Sequence, residues 1–286
     1  MRGRADAALR KERIMTIRTA LAALALILPA SADAHGFWLQ PEDYTPVLRE
    51  PVEIAFKVGD AGDVEDWGLY WERIAAFQLY GPDGVVDQQQ AVRITGEDEP
   101  GSAQIALIEP GSYVLAFASN PSFSDLEAQR FDRYVDQEGL SAVAADRAAR
   151  PDRTQNGTEL YARRAKTLLQ VGQVLTENVT RPIGQTLEIV PLVNPFRSEV
   201  AQSGAGPLPL QVLWRGKPLE GATLSAAALD DTGEATMFTT DADGMVTIRA
   251  WAGQATLFSV VWGVPAPDDA RADYFTIFAS LTVGAE

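Results

Sequence analysis

The sequence has 286 residues, of which 46% are hydrophobic and 22% are charged, so it is long enough for one or two domains and close to globular averages. Its 39 acidic and 24 basic side chains give a formal charge of −15, which argues against nucleic-acid binding, because that affinity comes largely from basic contacts to phosphate. With no cysteine and one histidine, the chain cannot form disulfides, thiolate metal sites or a metal site built from several imidazoles.

Residues 1–34 are predicted to be a secretory signal peptide, with Met15 as the start of translation. A short basic segment precedes an apolar run at 19–28, which is too short to span a bilayer. The Ala-Asp-Ala sequence at 32–34 matches the pattern that precedes a cleavage site. We therefore expect a periplasmic protein that begins at His35 and has no stable membrane insertion; an uncleaved anchor helix is the alternative.

Cleavage at that position makes the only histidine, His35, the amino-terminal residue. Its free α-amine and its imidazole Nδ1 can close a chelate ring on a metal, because both groups lose their protons near neutral pH. Imidazole suits several metals, so the expected cofactor is one divalent ion of nickel, cobalt, copper or zinc. Further ligands are carboxylates, carbonyl groups or water, with Glu42, Asp43, Asp60 and Asp63 as candidates. The alternative is that His35 follows the cleavage site by chance.

Residues 35–183 are predicted to form an N-terminal β-sandwich. The segment 52–58 alternates apolar and polar residues, and turn signals recur every 8–12 residues, which is typical of a sandwich rather than of βαβ units. Trp38, Trp67 and Trp71 are predicted to fill its core, and an aromatic binding surface is the alternative.

A short helical insert is predicted over 122–150. The residues at 124–127 match a capping box, the apolar residues that follow have helical spacing, and Gly139 is a candidate C-cap. A second short helix is predicted over 140–147. We interpret the insert as a solvated face packed on the edge of the sandwich, with a recognition lid as the alternative.

The segment 160–171 is predicted to be a strand because it ends in the run Thr-Leu-Leu-Gln-Val. It concentrates Arg163, Arg164 and Lys166, with Arg181 nearby, in an otherwise acidic protein. One interpretation is that these cations pair with neighbouring carboxylates. The other interpretation is that they contact an anionic partner.

A second β unit is predicted over 184–286. Within it, the sequence Asp-Ala-Asp-Gly at 241–244 is interpreted as a hairpin turn in which the glycine supplies a positive φ. A calcium loop of the EF-hand type is not favoured, because the third acidic position and the distal glutamate are missing.

Six stretches, in this order, carry a resemblance to a known family: HGFWL at 35–39, FDRYVDQEGL at 131–140, YARRAK at 161–166, GQTLEIVP at 184–191, GKPL at 216–219 and TDADG at 240–244. They resemble a bacterial periplasmic family of unknown function, whose members are often described as the substrate-specific component of nickel/cobalt uptake, the NikM-like proteins. The resemblance covers 35–286. It implies a mainly β chain of two immunoglobulin-like or transthyretin-like β-sandwich modules, at 35–183 and 184–286. It also implies a role with transition metals, in which His35 is the position most readily matched to metal binding.

The leading hypothesis is a non-enzymatic periplasmic protein that binds a divalent transition metal at His35 and passes it to an envelope transporter. Relatives commonly carry further histidines, including one in the last strands, where this sequence has none. The alternative is a structural or interaction module that presents loops, or Trp67 and Trp71, to a protein or glycan of the cell envelope. An acid-pair hydrolase is the third hypothesis, but no two carboxylates are singled out by the sequence.

Overall fold

Most of the described chain is β-strand. The structure is a computed structural model, and it describes residues 36–60, 63–94, 100–152, 154–197, 200, 206–229, 235–249 and 254–284. The predicted signal peptide at 1–34 and the predicted metal ligand His35 lie outside these residues. The prediction of a mainly β fold is confirmed.

Two adjacent helices interrupt a long series of strands. The first elements in chain order are β1 (Gly36–Pro41), β2 (Pro51–Asp60), β3 (Asp63–Asp66), β4 (Ile74–Gly81), β5 (Gly84–Asp87), β6 (Val92–Arg93), β7 (Ser102–Ala106), β8 (Gly111–Ser119), β9 (Ser122–Leu126), α1 (Ala128–Gln137), α2 (Ser141–Ala149) and β10 (Gly157–Val171). They are followed by β11 (Leu187–Pro191), β12 (Leu208–Trp214), β13 (Lys217–Pro218), β14 (Thr223–Ala228), β15 (Thr236–Thr239), β16 (Met245–Ile248), β17 (Thr256–Pro265) and β18 (Tyr274–Val283). Neither α-helix in the described ranges is long and apolar enough to cross a membrane.

The described strands form three sheets. The first sheet has the order β1-β2-β7-β6, with β3 also paired to β2. The central sheet has the order β15-β14-β17-β18-β10-β8-β4-β5, with β9 paired to β10, and the third sheet has the order β11-β12-β13, with β16 paired to β12. The central sheet thus contains strands from both sides of the predicted boundary at 183/184 and joins them through the parallel pair β10 and β18. The division into modules 35–183 and 184–286 stays a prediction.

The two faces of the central sheet contribute to different hydrophobic cores. Along β10, Leu168 lies in the core shared with the third sheet, whereas Leu169 lies in the core shared with the first sheet. Successive residues of a strand point to opposite faces, so a strand buried on both sides serves two cores. The predicted sandwich packing is therefore confirmed, and the central sheet takes part in both sandwiches.

The helical insert covers part of the central sheet on the same face as the first sheet. Phe131 and Tyr134 of α1 and Val143 of α2 form a third core with Tyr274 and Phe278 of β18. This contact buries the apolar side of each helix and leaves the polar side in solvent. The prediction of a helical insert packed on the sandwich is confirmed, but its predicted place on the edge is wrong, because the helices pack on the face of the central sheet over the interior strands β17 and β18.

The predicted start of the insert is wrong. Residues 122–126 form β9 and pair with the first part of β10, so they are strand rather than helix. The N-cap of α1 is Glu127, whose carboxylate accepts a hydrogen bond from the backbone N–H of Arg130, and not Ser124. A capping-box pattern depends only on neighbouring residues in the sequence. It therefore cannot indicate that residues 122–126 form backbone hydrogen bonds with the distant strand β10. The predicted end of the first helix at Gly139 is confirmed, and this glycine has a φ of 66°.

The turn at 241–244 is confirmed, but it does not close a hairpin. Asp241 Oδ1 accepts hydrogen bonds from the backbone N–H groups of Asp243 and Met245, and Gly244 has a φ of 69°. The strands on either side pair in different sheets, β15 with β14 and β16 with β12. The turn therefore carries the chain from the central sheet to the third sheet.

Candidate functional site

The chain that follows His35 begins β1 directly. Gly36 pairs with Gly59 near the end of β2. Glu42 and Asp43 follow the opposite end of β1, about 20 Å from Gly36 for six extended residues at roughly 3.3 Å each. These two acids are exposed and lie at the far end of β1 from Gly36, and their role as ligands stays a prediction.

The other two candidate acids, Asp60 and Asp63, lie at the same end of the first sheet as Gly36. Asp60 follows Gly59, the partner of Gly36, and its backbone pairs with that of Asp63. The side chains of both residues are outside the described part of the structure. Their role as ligands stays a prediction.

A cavity of about 320 Å³ lies beside the start of β1, and we call it the β1 cavity. Gly36 and Phe37 of β1 line it, together with Gln137 and Glu138 at the end of α1. Alternate residues of the central sheet form much of its remaining wall: Thr223, Ser225 and Ala227 of β14, Leu257, Ser259 and Val261 of β17, and Phe278 of β18. These side chains share one face because strand residues two apart point the same way.

Glu138 is the one acidic side chain that lines the β1 cavity among the described residues. It lies at the end of α1, where the last helix carbonyls carry partial negative charge and favour a cation. A Cβ atom on the next residue, Gly139, would lie 2.6 Å from Thr223 Oγ1, so the glycine lets α1 end close against β14. Sequence reasoning missed Glu138, because only this contact between distant segments brings it to the cavity.

The described residues do not by themselves form a metal centre. They contain no group of three or more His, Cys, Asp or Glu side chains placed to hold a metal ion. His35, which lies outside the described ranges, is the only histidine of the chain.

A buried guanidinium lies behind the β1 cavity. The Arg163 Cζ atom is between 5.3 and 5.8 Å from the ring centroids of Phe37, Trp67, Tyr161 and Phe278. Guanidinium groups are attracted to aromatic ring faces, and the attraction is stronger when both are desolvated. Burial lowers the pKa of Arg163 below its ordinary value, against the opposing effect of the Tyr161 hydroxyl.

The three cations of β10 have different partners. Lys166 Nζ donates to Glu188 Oε1 at 2.9 Å, so pairing with a carboxylate is the correct interpretation for this residue. Arg164 donates instead to the backbone carbonyl groups of Ser119 and Arg163. No described carboxylate forms an ion pair with Arg163 or Arg164.

A buried carboxyl lies further along the same strand. Glu159 is 4% exposed, and the Tyr134 hydroxyl of α1 donates a hydrogen bond to its Oε2 at 3.3 Å. Burial raises the pKa of Glu159 above its ordinary value. Glu159 and Arg163 face the same side of β10, and the positive charge of Arg163 opposes the rise in the pKa of Glu159.

The tryptophans separate into core and surface. Trp38 and Trp67 are buried, which confirms their prediction as core residues. Trp71 is 53% exposed, so its prediction as a core residue is wrong. It lies in a 3₁₀ turn, Trp71–Arg73, which precedes β4 and directs this side chain to solvent. The neighbouring Tyr70 ring lies 4.7 Å from the Arg73 Cζ atom.

Comparison with known proteins identifies a family. A family model described as "Domain of unknown function (DUF4198)" matches residues 32–261. No curated protein matches the chain. The D0-D1 domain of Intimin is 11% identical, with a TM-score of 0.21, and the match covers 86% of this chain and 96% of that one. Fibronectin(III)-like modules of Clostridium thermocellum CbhA are 12% identical, with a TM-score of 0.18 and coverage of 85% and 94%.

Proposed function

Because the chain belongs to the DUF4198 family, a domain of unknown function, we propose its role from its own residues. We propose a non-enzymatic periplasmic binding protein that holds one divalent transition metal at its mature amino terminus. The metal is its cargo, of the nickel/cobalt type, and an envelope transporter receives it. The predicted signal peptide and the NikM-like resemblance support this location and this partner.

The observation that carries the proposal is the composition of the β1 cavity. The residues that directly follow His35, Gly36 and Phe37, line the same cavity as Gln137 and Glu138. Cleavage before His35 provides an amine and an imidazole immediately before these residues. The Glu138 carboxylate and the Gln137 amide oxygen are then the side-chain oxygen donors at the end of α1.

Metal binding in this proposal depends on pH. The α-amine and the imidazole must both lose a proton before they bind a metal. Their ordinary pKa values are about 7.7–8.0 and about 6.5, so acidification to about pH 5 releases the metal. An α-amine blocked by an uncleaved leader cannot take part at all.

Native intact mass spectrometry tests the proposal on protein purified from periplasm, with nickel, cobalt, copper and zinc supplied equally. We expect a mass that begins at His35 with one metal ion bound. His35→Ala, and a variant with one alanine inserted before His35, should both lose the metal. Glu138→Gln should weaken binding, and Asp136→Asn, two residues earlier on α1 and not among the residues that line the β1 cavity, should not.

Two results would reject the proposal. The first is a mature protein that begins at His35 and retains none of the four metals. The second is retention of the metal by both amino-terminal variants, because neither of them keeps the amine–imidazole chelate intact.

The second candidate function is an interaction module, and the exposed Trp71 favours it. This side chain is 53% exposed, and an exposed aromatic surface suits a glycan or a protein loop of the envelope. Binding of soluble peptidoglycan fragments or a purified envelope protein, lost in Trp71→Ala and retained in His35→Ala, would support this function. The reverse pattern would support metal binding instead.

A further inference from the structure

Five apolar side chains are exposed together at one end of the molecule, and we call them the apolar tips: Val47, Leu48, Ile108, Val174 and Leu175. They lie on three loops, of which the first joins β1 to β2, the second joins β7 to β8, and the third follows β10. Val47, Ile108 and Val174 are 61%, 63% and 54% exposed. Single exposed apolar residues are ordinary on a protein surface, but a group of them on neighbouring loops indicates an interaction site.

Backbone contacts hold the three loops side by side. The Arg49 N–H of the first loop donates to the backbone carbonyl of Leu107 in the second loop at 2.8 Å. On the other side of the second loop, a Cβ atom on Gly172 would lie 3.8 Å from Pro110 Cβ, so the third loop also contacts it. Ile108 lies between Leu107 and Pro110 in the chain. The apolar tips therefore form one band with Ile108 in its middle.

The third loop is fixed by buried polar contacts beneath it. The Gln170 side chain is 5% exposed, and its Nε2 donates to the backbone carbonyl groups of Gly172 at 3.0 Å and Val174 at 2.9 Å. Further along the loop, Thr176 Oγ1 accepts a hydrogen bond from the backbone N–H of Ser112 at 2.9 Å. These contacts hold the loop in a conformation that leaves its apolar side chains in solvent. A partner that covers them pays little for ordering the loop.

The first loop has a strained residue at its tip. The Glu50 N–H donates to the Val47 carbonyl at 3.1 Å and closes a turn whose third residue, Arg49, has a φ of 66°. Glycine or asparagine is usual at such a position, because a Cβ atom is disfavoured there. Strained residues concentrate at functional sites. Here the turn places Leu48 at its apex with Arg49 beside it.

The size and shape of the band favour a bilayer over a second copy of the chain. An aliphatic side chain removes roughly 60–120 Å² from water when it is fully buried, so five tips at about half exposure present on the order of 200 Å². A stable dimer buries about 800 Å² on each partner. Side chains that project separately from loops suit a fluid apolar phase, which can close around each of them, and a lipid bilayer provides that phase.

The charges beside the apolar tips favour a particular kind of lipid. Arg49 follows Leu48 directly, and the exposed Glu50 and Glu109 lie on the first and second loops. Because the protein has a formal charge of −15, an anionic bilayer surface repels it. A zwitterionic headgroup such as phosphatidylethanolamine offers a phosphate to the guanidinium and an ammonium group to the two carboxylates.

We propose that the apolar tips dock this protein reversibly on a zwitterionic lipid bilayer, with their side chains at the boundary of the acyl chains and Arg49 at the phosphate groups. The protein then lies on the membrane surface without spanning it. The apolar tips are near the end of β1, whereas the β1 cavity lies beside its start. Docking therefore needs neither His35 nor a metal, and it goes beyond the function proposed above.

Co-sedimentation with lipid vesicles tests the proposal on the mature protein. The vesicles contain equal parts of phosphatidylethanolamine and phosphatidylcholine. We expect the unmodified protein to sediment with them, and we expect Val47→Ser/Ile108→Ser/Val174→Ser to lower its partition coefficient at least tenfold. Replacing the phosphatidylcholine by anionic phosphatidylglycerol should not strengthen binding.

A second triple variant is the matched control. Val64→Ser/Phe123→Ser/Met237→Ser removes three apolar side chains of similar exposure from other parts of the surface. It should leave the partition coefficient unchanged. His35→Ala should also leave it unchanged, so a failure of the metal proposal does not affect this test. Circular dichroism establishes that each variant is folded.

A fluorescent label tests insertion at a single position. Because the chain has no cysteine, Ile108→Cys and Val64→Cys can each carry one nitrobenzoxadiazole dye at a known place. We expect the emission of the label at position 108 to shift to shorter wavelength when vesicles are added, because the dye enters an apolar phase. The label at position 64 should not respond.

Four results would overturn the proposal: no sedimentation of the unmodified protein with the vesicles, an equal loss in the two triple variants, binding that requires phosphatidylglycerol, or the same spectral shift at both labelled positions. A fifth result would overturn it in favour of contact between copies of the chain. This is dimerisation without vesicles, measured by analytical ultracentrifugation, that is abolished in Val47→Ser/Ile108→Ser/Val174→Ser and kept in the control variant.

Discussion

Two buried cations of β10 face opposite sides of the central sheet, and their surroundings differ. Lys166 points toward the third sheet and donates to Glu188 at 2.9 Å, with the two side chains 2% and 1% exposed. Arg163 points toward the first sheet and lies among four aromatic rings, and no carboxylate of the described ranges forms a direct ion pair with it. One strand therefore carries a charge held in a direct ion pair on one face and a charge held among aromatic rings on the other.

The difference separates a charge held in a hydrogen-bonded ion pair from a charge held by aromatic ring faces. Glu188 also accepts hydrogen bonds from the backbone N–H groups of Ile183, Gly184 and Gln185, so its acceptor positions are filled. The pair thus fixes the segment at the predicted boundary 183/184 to the central sheet. Arg163 has ring contacts but an unused Nε donor, and it lies behind a cavity.

The largest expected effect comes from breaking the ion pair at Glu188. Glu188→Ala leaves Lys166 buried without a counter-ion and three backbone N–H groups without their acceptor, so we expect a loss of about 3–5 kcal/mol in the free energy of unfolding. Urea denaturation measures it. The double variant Lys166→Met/Glu188→Leu should recover part of the loss, because it removes both charges; a loss below about 1 kcal/mol in the single variant would contradict the structural role.

Removing the other partner of the pair should cost less. Lys166→Met leaves the Glu188 carboxylate with three backbone donors, so the remaining charge stays partly stabilised, and we expect a loss of about 1–3 kcal/mol. The same urea measurement compares the two variants directly. A larger loss than in Glu188→Ala would show that the lysine, and not the carboxylate, organises this contact.

The pH dependence of stability tests the third charged group of β10, Glu159. Burial raises the pKa of its carboxyl above the ordinary value of 4.5, so the folded protein retains this proton over a pH range in which the unfolded chain has released it. The stability contributed by this group is therefore present below about pH 4.5 and is lost as the pH rises through the raised value. Glu159→Gln should flatten the fall in unfolding free energy between pH 4 and pH 7, and an unchanged slope would contradict the assignment.

The smallest effect on stability is expected at Arg163. Arg163→Met loses the ring contacts of the guanidinium but also removes the cost of burying a charge that has no direct ion pair, so we expect a net change within about 1 kcal/mol. Urea denaturation measures it. A loss of stability as large as that of Glu188→Ala would contradict this balance.

Local patterns in the sequence predicted the faces of the strands but not their partners. The alternation at 52–58 correctly indicates a half-buried strand, and Val52, Ile54 and Phe56 are buried in β2. The pairing of β10 with β18 joins residues more than a hundred positions apart, and no local period encodes it. The start of the helical insert was wrong for the same reason, because residues 122–126 find their backbone partners on β10.

By itself, the sequence determined a mainly β chain, a helical insert whose first helix ends at Gly139, and the residue types able to carry chemistry, among them His35 and the cations of β10. Tertiary structure alone decided that Glu138 lines the β1 cavity, that Trp71 is exposed, and that Lys166 forms a direct ion pair whereas Arg163 lies among aromatic rings. The physical reason is that burial and charge neutralisation depend on distant segments that pack against a residue. Periodicity along the chain records only which way that residue points.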